Sequence, residues 1–393
     1  VGLLGRTWFE FTGWLAAVLL WLFFLQGQVN WWQPAVLWAL FLLLYLVTRG
    51  CGAHPGALPF VAVLVFCGWI FLTRLDPSLG QGHFYGALLG SAFYLFGLFL
   101  PAPRLRFSRL WAWGAVVLLG LTALWGETVG GAKAWLTVCG LRFQPVELAK
   151  VFLVLYLGKG ISQGRPLWEL LSFVGSFLLL SAWQRDLGPA VLVLLVFSWL
   201  VLQHSFAWYK LLGLAGILLA GFWGAVQLFS HVQSRVLAWL APWEYLDSKG
   251  YQVVQGLFAL RAGGLVGQGL GQGLVHVIPQ GHTDYIFAIL GEELGFFGLC
   301  AVLLCYFSLA FWAVRLLQDL AGAEQLTGLG LTLLLHGQVF LVVGGILRLL
   351  PFSGMTLPFV SYGSTSLTVQ FWMLGLMAGL SRGGGAERCA EPS

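Results

Sequence analysis

The residues of this chain best suited to chemistry are three carboxylates in one short segment, PQGHTDYIFAILGEELG, where Asp284, Glu292 and Glu293 stand among long apolar runs. Only 9% of the 393 residues are charged, so acids gathered at the edge of an apolar helix point to a site that needs an acid or a base. Asp284 follows His282 by two residues, where a polar loop meets the helix. A carboxylate there can cap the helix, accepting from its free amide groups and facing the positive end of its dipole. It can equally act as a general base toward a hydroxyl nucleophile. Glu292 and Glu293 come about two turns later, where a charge at membrane depth costs roughly 2.5–3.5 kcal/mol and has to face protein or water. They read either as an internal hydrogen-bonded pair or as part of the chemistry.

Other segments carry ionisable groups in telling places. In FQPVELAK, Phe143 to Lys150, Glu147 and Lys150 are spaced i, i+3 and share a helix face within ion-pair reach. Pro145 suits the first turn of that helix, where its missing amide is not needed. A buried structural pair and a functional pair are both open, since ionisable groups inside a membrane are functional candidates. QRDLG, Gln184 to Gly188, places Arg185 and Asp186 in a tight turn, either solvated or lining a polar cavity. The glycine-rich RAGGLVGQGLGQG, Arg261 to Gly273, lacks the lysine and following serine or threonine of a phosphate loop. Its glycines would instead let it lie against membrane or lipid headgroups, with Arg235, Lys249 and Arg261 available to hold a diphosphate. LPFVSYGSTSL, Leu357 to Leu367, reads as a broken, partly re-entrant approach to the last helix. Six scattered cysteines with no CxxC pair predict neither a disulfide framework nor a cysteine-bound metal.

The elements that must position these groups are membrane helices. Apolar residues make up 59% of the chain, tryptophan numbers 20 and the mean hydropathy is +0.87, well beyond a soluble globular composition. Windows of roughly 20 apolar residues, enough to cross the hydrocarbon core, recur at 8–25, 31–48, 57–73, 84–100, 109–125, 145–161, 167–183, 189–203, 207–229, 284–315, 326–347 and 365–381. The fold class predicted is therefore an all-α polytopic membrane protein of about twelve spans. No cleavable signal peptide is expected, because the first run begins after Arg6 and Glu10 and lacks a small-residue cleavage site. With both termini in the cytoplasm, most Lys and Arg fall in inside loops, including Arg49, Arg104, Arg106, Arg109, Lys159 and Arg165. Short outside loops then hold Arg74, Lys133, Arg142, Arg185 and Arg348. The long loop 230–283 is extracytoplasmic on this reading, and its Trp239, Trp243, Tyr245 and Tyr251 predict that it folds over the membrane surface.

Taken in order, these motifs resemble the SEDS proteins (shape, elongation, division and sporulation) of FtsW, RodA and SpoVE type. FQPVELAK is similar to that family's FQPSELAK, QRDLG to QPDLG, GGLVGQGLGQG to GGLxGxGLGxG, HTDYIFAILGEELG to HTDFIFAVIGEELG, and TLPFVSYGSTSL to TLPFVSYGGSSL. Residues 57–383 carry the resemblance; residues 1–48 look like two added helices, and 384–393 form a short cytoplasmic tail. Arg185 stands where the family usually has proline, Val146 where it has serine, and Ser364-Thr365 where it has Gly-Ser.

The resemblance implies a peptidoglycan glycosyltransferase of the bacterial cytoplasmic membrane, which polymerises lipid II at the outer face and works with a class B penicillin-binding protein as transpeptidase. It places the essential aspartate on Asp284 and further important positions on Trp135, Glu147, Lys150 and Asp186, with Arg235 and His282 as additional substrate-binding candidates. Asp284 would act as base in a single inverting displacement that releases undecaprenyl diphosphate. Family enzymes are metal-assisted, so magnesium or manganese is expected as cofactor, its ligands undetermined; neither nucleotide nor nucleic acid is expected. Two other readings stay open, a lipid II flippase using the same intramembrane charges and a non-catalytic scaffold of the cell-wall synthesis complex.

Overall fold

The computed structural model describes residues 10–11, 13–18, 32–100, 108–138, 140–204, 213, 216, 220–221, 223–224 and 226–382. The expected tail 384–393, most of the expected helix 207–229, and parts of 8–25 lie outside the described residues. Residues 10–11 and 13–18 are helical. Beyond them, among the described residues, ten apolar helices run as α1 (Trp32–Gly50), α2 (Leu58–Leu75), α3 (Pro77–Phe99), α4 (Ser108–Trp125), α5 (Pro145–Ser162), α6 (Leu167–Trp183), α7 (Leu187–His204), α10 (Ile286–Leu317), α11 (Gly322–Ile346) and α12 (Ser364–Leu380). Helices α8 (Ser230–Leu240) and α9 (Tyr251–Gly263) fall between α7 and α10. Among the described residues six helices are long and apolar enough to cross a membrane, and α6 and most of α7 are shorter apolar helices. Large apolar side chains left exposed along them, such as Leu179, Phe307 and Phe340, suit a hydrocarbon solvent in which every backbone group is satisfied inside its helix.

Helix α12 is buried along nearly its whole length and lies against α3. Around this pair pack α2, α5 and α11, and α10 packs on α2 and α11. The segment expected as an addition joins the same core through α1: the rings of Phe41 and Phe371 lie 5.9 Å apart, Thr48 Oγ1 and Tyr94 OH are 2.9 Å apart, and Trp69 Nε1 donates to Gln33 Oε1 at 3.2 Å.

Polar groups fasten the two ends of the bundle. At the end where α5 and α6 join, Arg109 pairs with Glu169 at 2.9 Å, and Arg165 and Tyr156 contact the same carboxylate. At the opposite end, called here the loop face, a three-stranded antiparallel sheet was not foreseen in the sequence: β1 (Glu127–Val129), β2 (Ala132–Val138) and β3 (Leu141–Phe143). Its first turn is Gly130-Gly131, both left-handed at φ 60° and 85°, a pairing that matches the twist of a tight hairpin. Lys133 caps α4 through the carbonyls of Ala123 and Leu124. The backbone amide of Lys133 donates to Gln184 O at 2.9 Å, docking the hairpin on the turn that carries Asp186. The long loop is folded, through α8, a 3-10 turn at Pro242–Tyr245, α9 and a second 3-10 turn at Val275–Val277.

Candidate functional site on the loop face

Asp284 sits on a compact turn leading into α10. Gln280 opens it in a left-handed conformation, φ 54°, and its carbonyl accepts from the amides of Thr283 and Asp284. The ordinary N-cap role predicted as an alternative is not the one seen, because Tyr285 occupies the cap position and no side chain caps the helix. Asp284 is partly buried. Burial pushes its carboxyl up from 3.8 to about 6, against the Thr283 hydroxyl and the Arg235 guanidinium, which favour the charged form; the charge of Asp186 adds to the rise.

Asp186 lies in the turn between α6 and α7, after Arg185 at φ 60°. It too is raised to about 6, first by burial and then by Glu147, with Lys150, Arg235 and a hydrogen bond from Gln144 acting in the other direction. That bond runs from Gln144 Nε2 to Asp186 Oδ2 at 3.2 Å. Arg235, on α8, is held by donation to Ser353 O at 2.9 Å and by the Phe352 ring beneath it. Two half-buried acids and one tethered cation thus meet at the mouth, an arrangement that favours a carboxylate able to take up a proton near neutral pH.

Below the mouth, the predicted Glu147 and Lys150 pair forms at 2.9 Å, with both side chains over nine-tenths buried. Its other valences are filled by residues that sequence reasoning did not single out. Lys150 Nζ also donates to Gln338 Oε1 at 3.2 Å, and Ser366 Oγ donates to Glu147 Oε2 at 3.3 Å. Gln338 Nε2 reaches Thr356 O at 2.8 Å, and Gln370 bridges Ser366 Oγ and the amide of Phe359. The signal was present: Gln338 and Gln370 are lone amides inside apolar runs, and such a group must find a partner when buried.

The glycine-rich loop differs from expectation. It lies against protein, on the flank of α10. Helix α10 breaks at Gly295, φ 68° and ψ -171°, and a Cβ there would sit 2.2 Å from the amide of Gly267. Gly271 N donates to Glu293 Oε2 at 2.8 Å and Leu274 N to Glu292 Oε1 at 3.0 Å. Loop amides also pair with the carbonyls of Glu292 and Glu293 that the break releases. The exposed apolar stripe of α10 starts just past the break, at Phe296 and Phe297. The 22 residues from Phe296 to Leu317 extend about 33 Å, a full membrane crossing by themselves. Glu292 and Glu293 therefore belong to the short segment on the loop side of the crossing, shallower than their sequence position suggested.

The remaining candidates are not brought into this charged group. Trp135 lies on β2, opposite Glu127. The His282 ring is 6.0 Å from that of Tyr362, and burial lowers its affinity for a proton. Of the three cations suggested for a diphosphate, Arg235 is at the site, whereas Lys249 and Arg261 have no polar contact with it among the described residues. Among the described residues no three His, Cys, Asp or Glu gather as a metal cage, and four cysteines are free thiols.

A helical membrane bundle whose acids and arginine converge on a folded loop defines a class: a multi-pass membrane protein with its site at one membrane face. Residues 78–384 match the cell cycle protein family of FtsW, RodA and SpoVE, and the chain belongs to that family. It is 33% identical over 373 residues to the peptidoglycan glycosyltransferase RodA of Mycobacterium tuberculosis, covering 84% of this chain and 78% of that one. Among solved structures it is similar to a chain of a peptidoglycan synthase complex that coordinates polymerization and crosslinking, with a TM-score of 0.73, 28% identity, and coverage of 84% and 98% of the two chains. It is likewise similar to the rod shape determining protein RodA of Thermus thermophilus, with a TM-score of 0.63, 26% identity, and coverage of 84% and 97%.

Proposed function

We propose that this protein is a peptidoglycan glycosyltransferase that joins lipid II units into glycan strands at the outer face of the cytoplasmic membrane, with Asp284 as general base. The observation that carries the reading is the placement of Asp284: half-buried at the loop face, raised to about 6, and in electrostatic reach of Asp186 and Arg235. In the displacement, the acceptor sugar hydroxyl attacks the anomeric carbon of the donor and its proton passes to the Asp284 carboxylate. The bond to the lipid diphosphate breaks, and the electron pair leaves on undecaprenyl diphosphate. One inversion converts the alpha-linked donor into a beta-linked product. Arg235 is tethered through one nitrogen to Ser353 O, leaving the rest of its guanidinium fork for phosphate oxygens.

The donor set at the mouth fits a magnesium ion, which is held by one or two carboxylates together with water and substrate phosphates. Asp186 would hold it, and the ion would offset charge developing on the leaving diphosphate. Both termini lie in the cytoplasm on this reading, and a class B penicillin-binding protein crosslinks the strands. The flippase alternative draws less support, because Lys150 and Glu147 neutralise each other in a closed network. The test supplies purified protein, its transpeptidase partner and magnesium with lipid II, and resolves glycan strands on a gel for wild type and Asp284→Asn. Strands from wild type alone support the reading. Equal polymer from both removes the base assignment, and transfer of lipid II across vesicles without polymer favours the flippase.

A further inference from the structure

Asp284 is fixed from outside its own segment. The stretch between α11 and α12 runs beneath the HTD triplet, and two of its residues hold that triplet by the backbone. Tyr362 N donates to His282 O at 2.9 Å. Ser361 Oγ donates to Thr283 O at 2.5 Å, the carbonyl of the peptide that leads into Asp284, and accepts from Leu357 N at 2.8 Å. Ser361 is 4% exposed, so no water can replace the hydroxyl freely. The stretch itself is anchored to the buried network: Gln370 Oε1 takes the amide of Phe359, a residue in the left-handed region at φ 64°, and Gln338 takes Thr356 O.

We propose that Ser361 is a positioning residue for polymerisation, its hydroxyl setting where the Asp284 carboxylate stands relative to the acceptor hydroxyl. The proposal rests on Asp284 being the base. Ser361 touches no substrate; it acts through the Thr283–Asp284 peptide. A base displaced by a fraction of an ångström still lets substrate bind but transfers a proton poorly, so the loss belongs in kcat.

The test compares Ser361→Ala, Ser361→Cys and Ser361→Thr with wild type and Asp284→Asn, using the full chain with its transpeptidase partner and lipid II at several concentrations. Cysteine keeps the volume but is a weak donor, which leaves a usable variant if alanine does not fold. The expected result is kcat lowered about 10- to 100-fold in Ser361→Cys, with KM for lipid II within about twofold. Ser361→Thr, which keeps the hydroxyl, is expected to restore most of the rate. Three results overturn the proposal while leaving the base assignment standing, provided Asp284→Asn is inactive: a cysteine variant with wild-type kcat, a loss confined to KM, or a threonine variant as impaired as cysteine. Polymer from Asp284→Asn at the wild-type rate instead removes the reading on which the proposal stands.

Discussion

The two ends of the segment from Pro279 to Gly295 hold their acids in opposite ways. Glu292 and Glu293 each give an oxygen to a backbone amide of the glycine-rich loop, and their carbonyls receive two more. Both are buried, and each is held by a loop amide, although Glu292 Oε2 has no hydrogen-bond partner among the described residues. Asp284, on the turn before the helix, is partly open and feels both the charge of Asp186, a second raised carboxylate, and that of Arg235. A carboxylate buried and anchored on backbone amides builds structure; one left partly open beside other charges can exchange a proton. Residue type alone does not separate these roles, whereas the distribution of donors around each group does.

That contrast can be broken first on its structural side. Lys150→Met leaves Glu147 buried without its cation and is expected to cost about 3–5 kcal/mol, read as a fall in thermal midpoint and in folded yield. The double variant Glu147→Gln with Lys150→Met should recover much of that loss, since two neutral groups replace one stranded charge. Gly295→Ala comes next: the left-handed backbone and the 2.2 Å approach to Gly267 N make it cost about 1–3 kcal/mol. Limited proteolysis should then cut within 264–274, where wild type resists. Glu293→Gln is milder, about 1 kcal/mol, because a carbonyl oxygen can still accept from Gly271 N; polymerisation per folded molecule should persist.

A titration sharpens the catalytic side. The Asp284 carboxyl is raised from 3.8 to about 6 in the folded protein, so between those values the folded state binds the extra proton. Stability from this group is therefore present at low pH and falls as pH rises through that window. Asp284→Asn cannot titrate. It should melt above wild type at about pH 7, the gap closing below about pH 4, in a differential melting series. Wild-type activity should run the other way, rising with pH through about 6 as the base ionises.

Much of this was legible in the sequence. Helices announced themselves by long apolar windows, and Glu147 with Lys150 by their i, i+3 spacing, because both are local properties. The convergence of Asp186, Arg235 and Asp284 was not local: it depends on three connections packed at one face, and the resemblance alone brought them together. The sheet at 127–143 was hidden because strands of three to seven residues leave little alternation beside membrane helices. The Gly295 break was masked because the glycine and both glutamates fall inside one long, mostly apolar window, so Glu292 and Glu293 read as deeper than they lie. Ser361 and Gln144 act through backbone or amide contacts with distant segments, which no spacing rule reports.

The most direct measurement sets Asp284→Asn beside Glu292→Gln in the same lipid II polymerisation assay, with rates normalised to folded protein and the transpeptidase partner present. The account predicts that Asp284→Asn loses about 10²- to 10⁴-fold in rate, while Glu292→Gln, still able to accept from Leu274 N, stays within about threefold of wild type. An Asp284→Asn enzyme that polymerises normally, or a well-folded Glu292→Gln enzyme that does not, would contradict it.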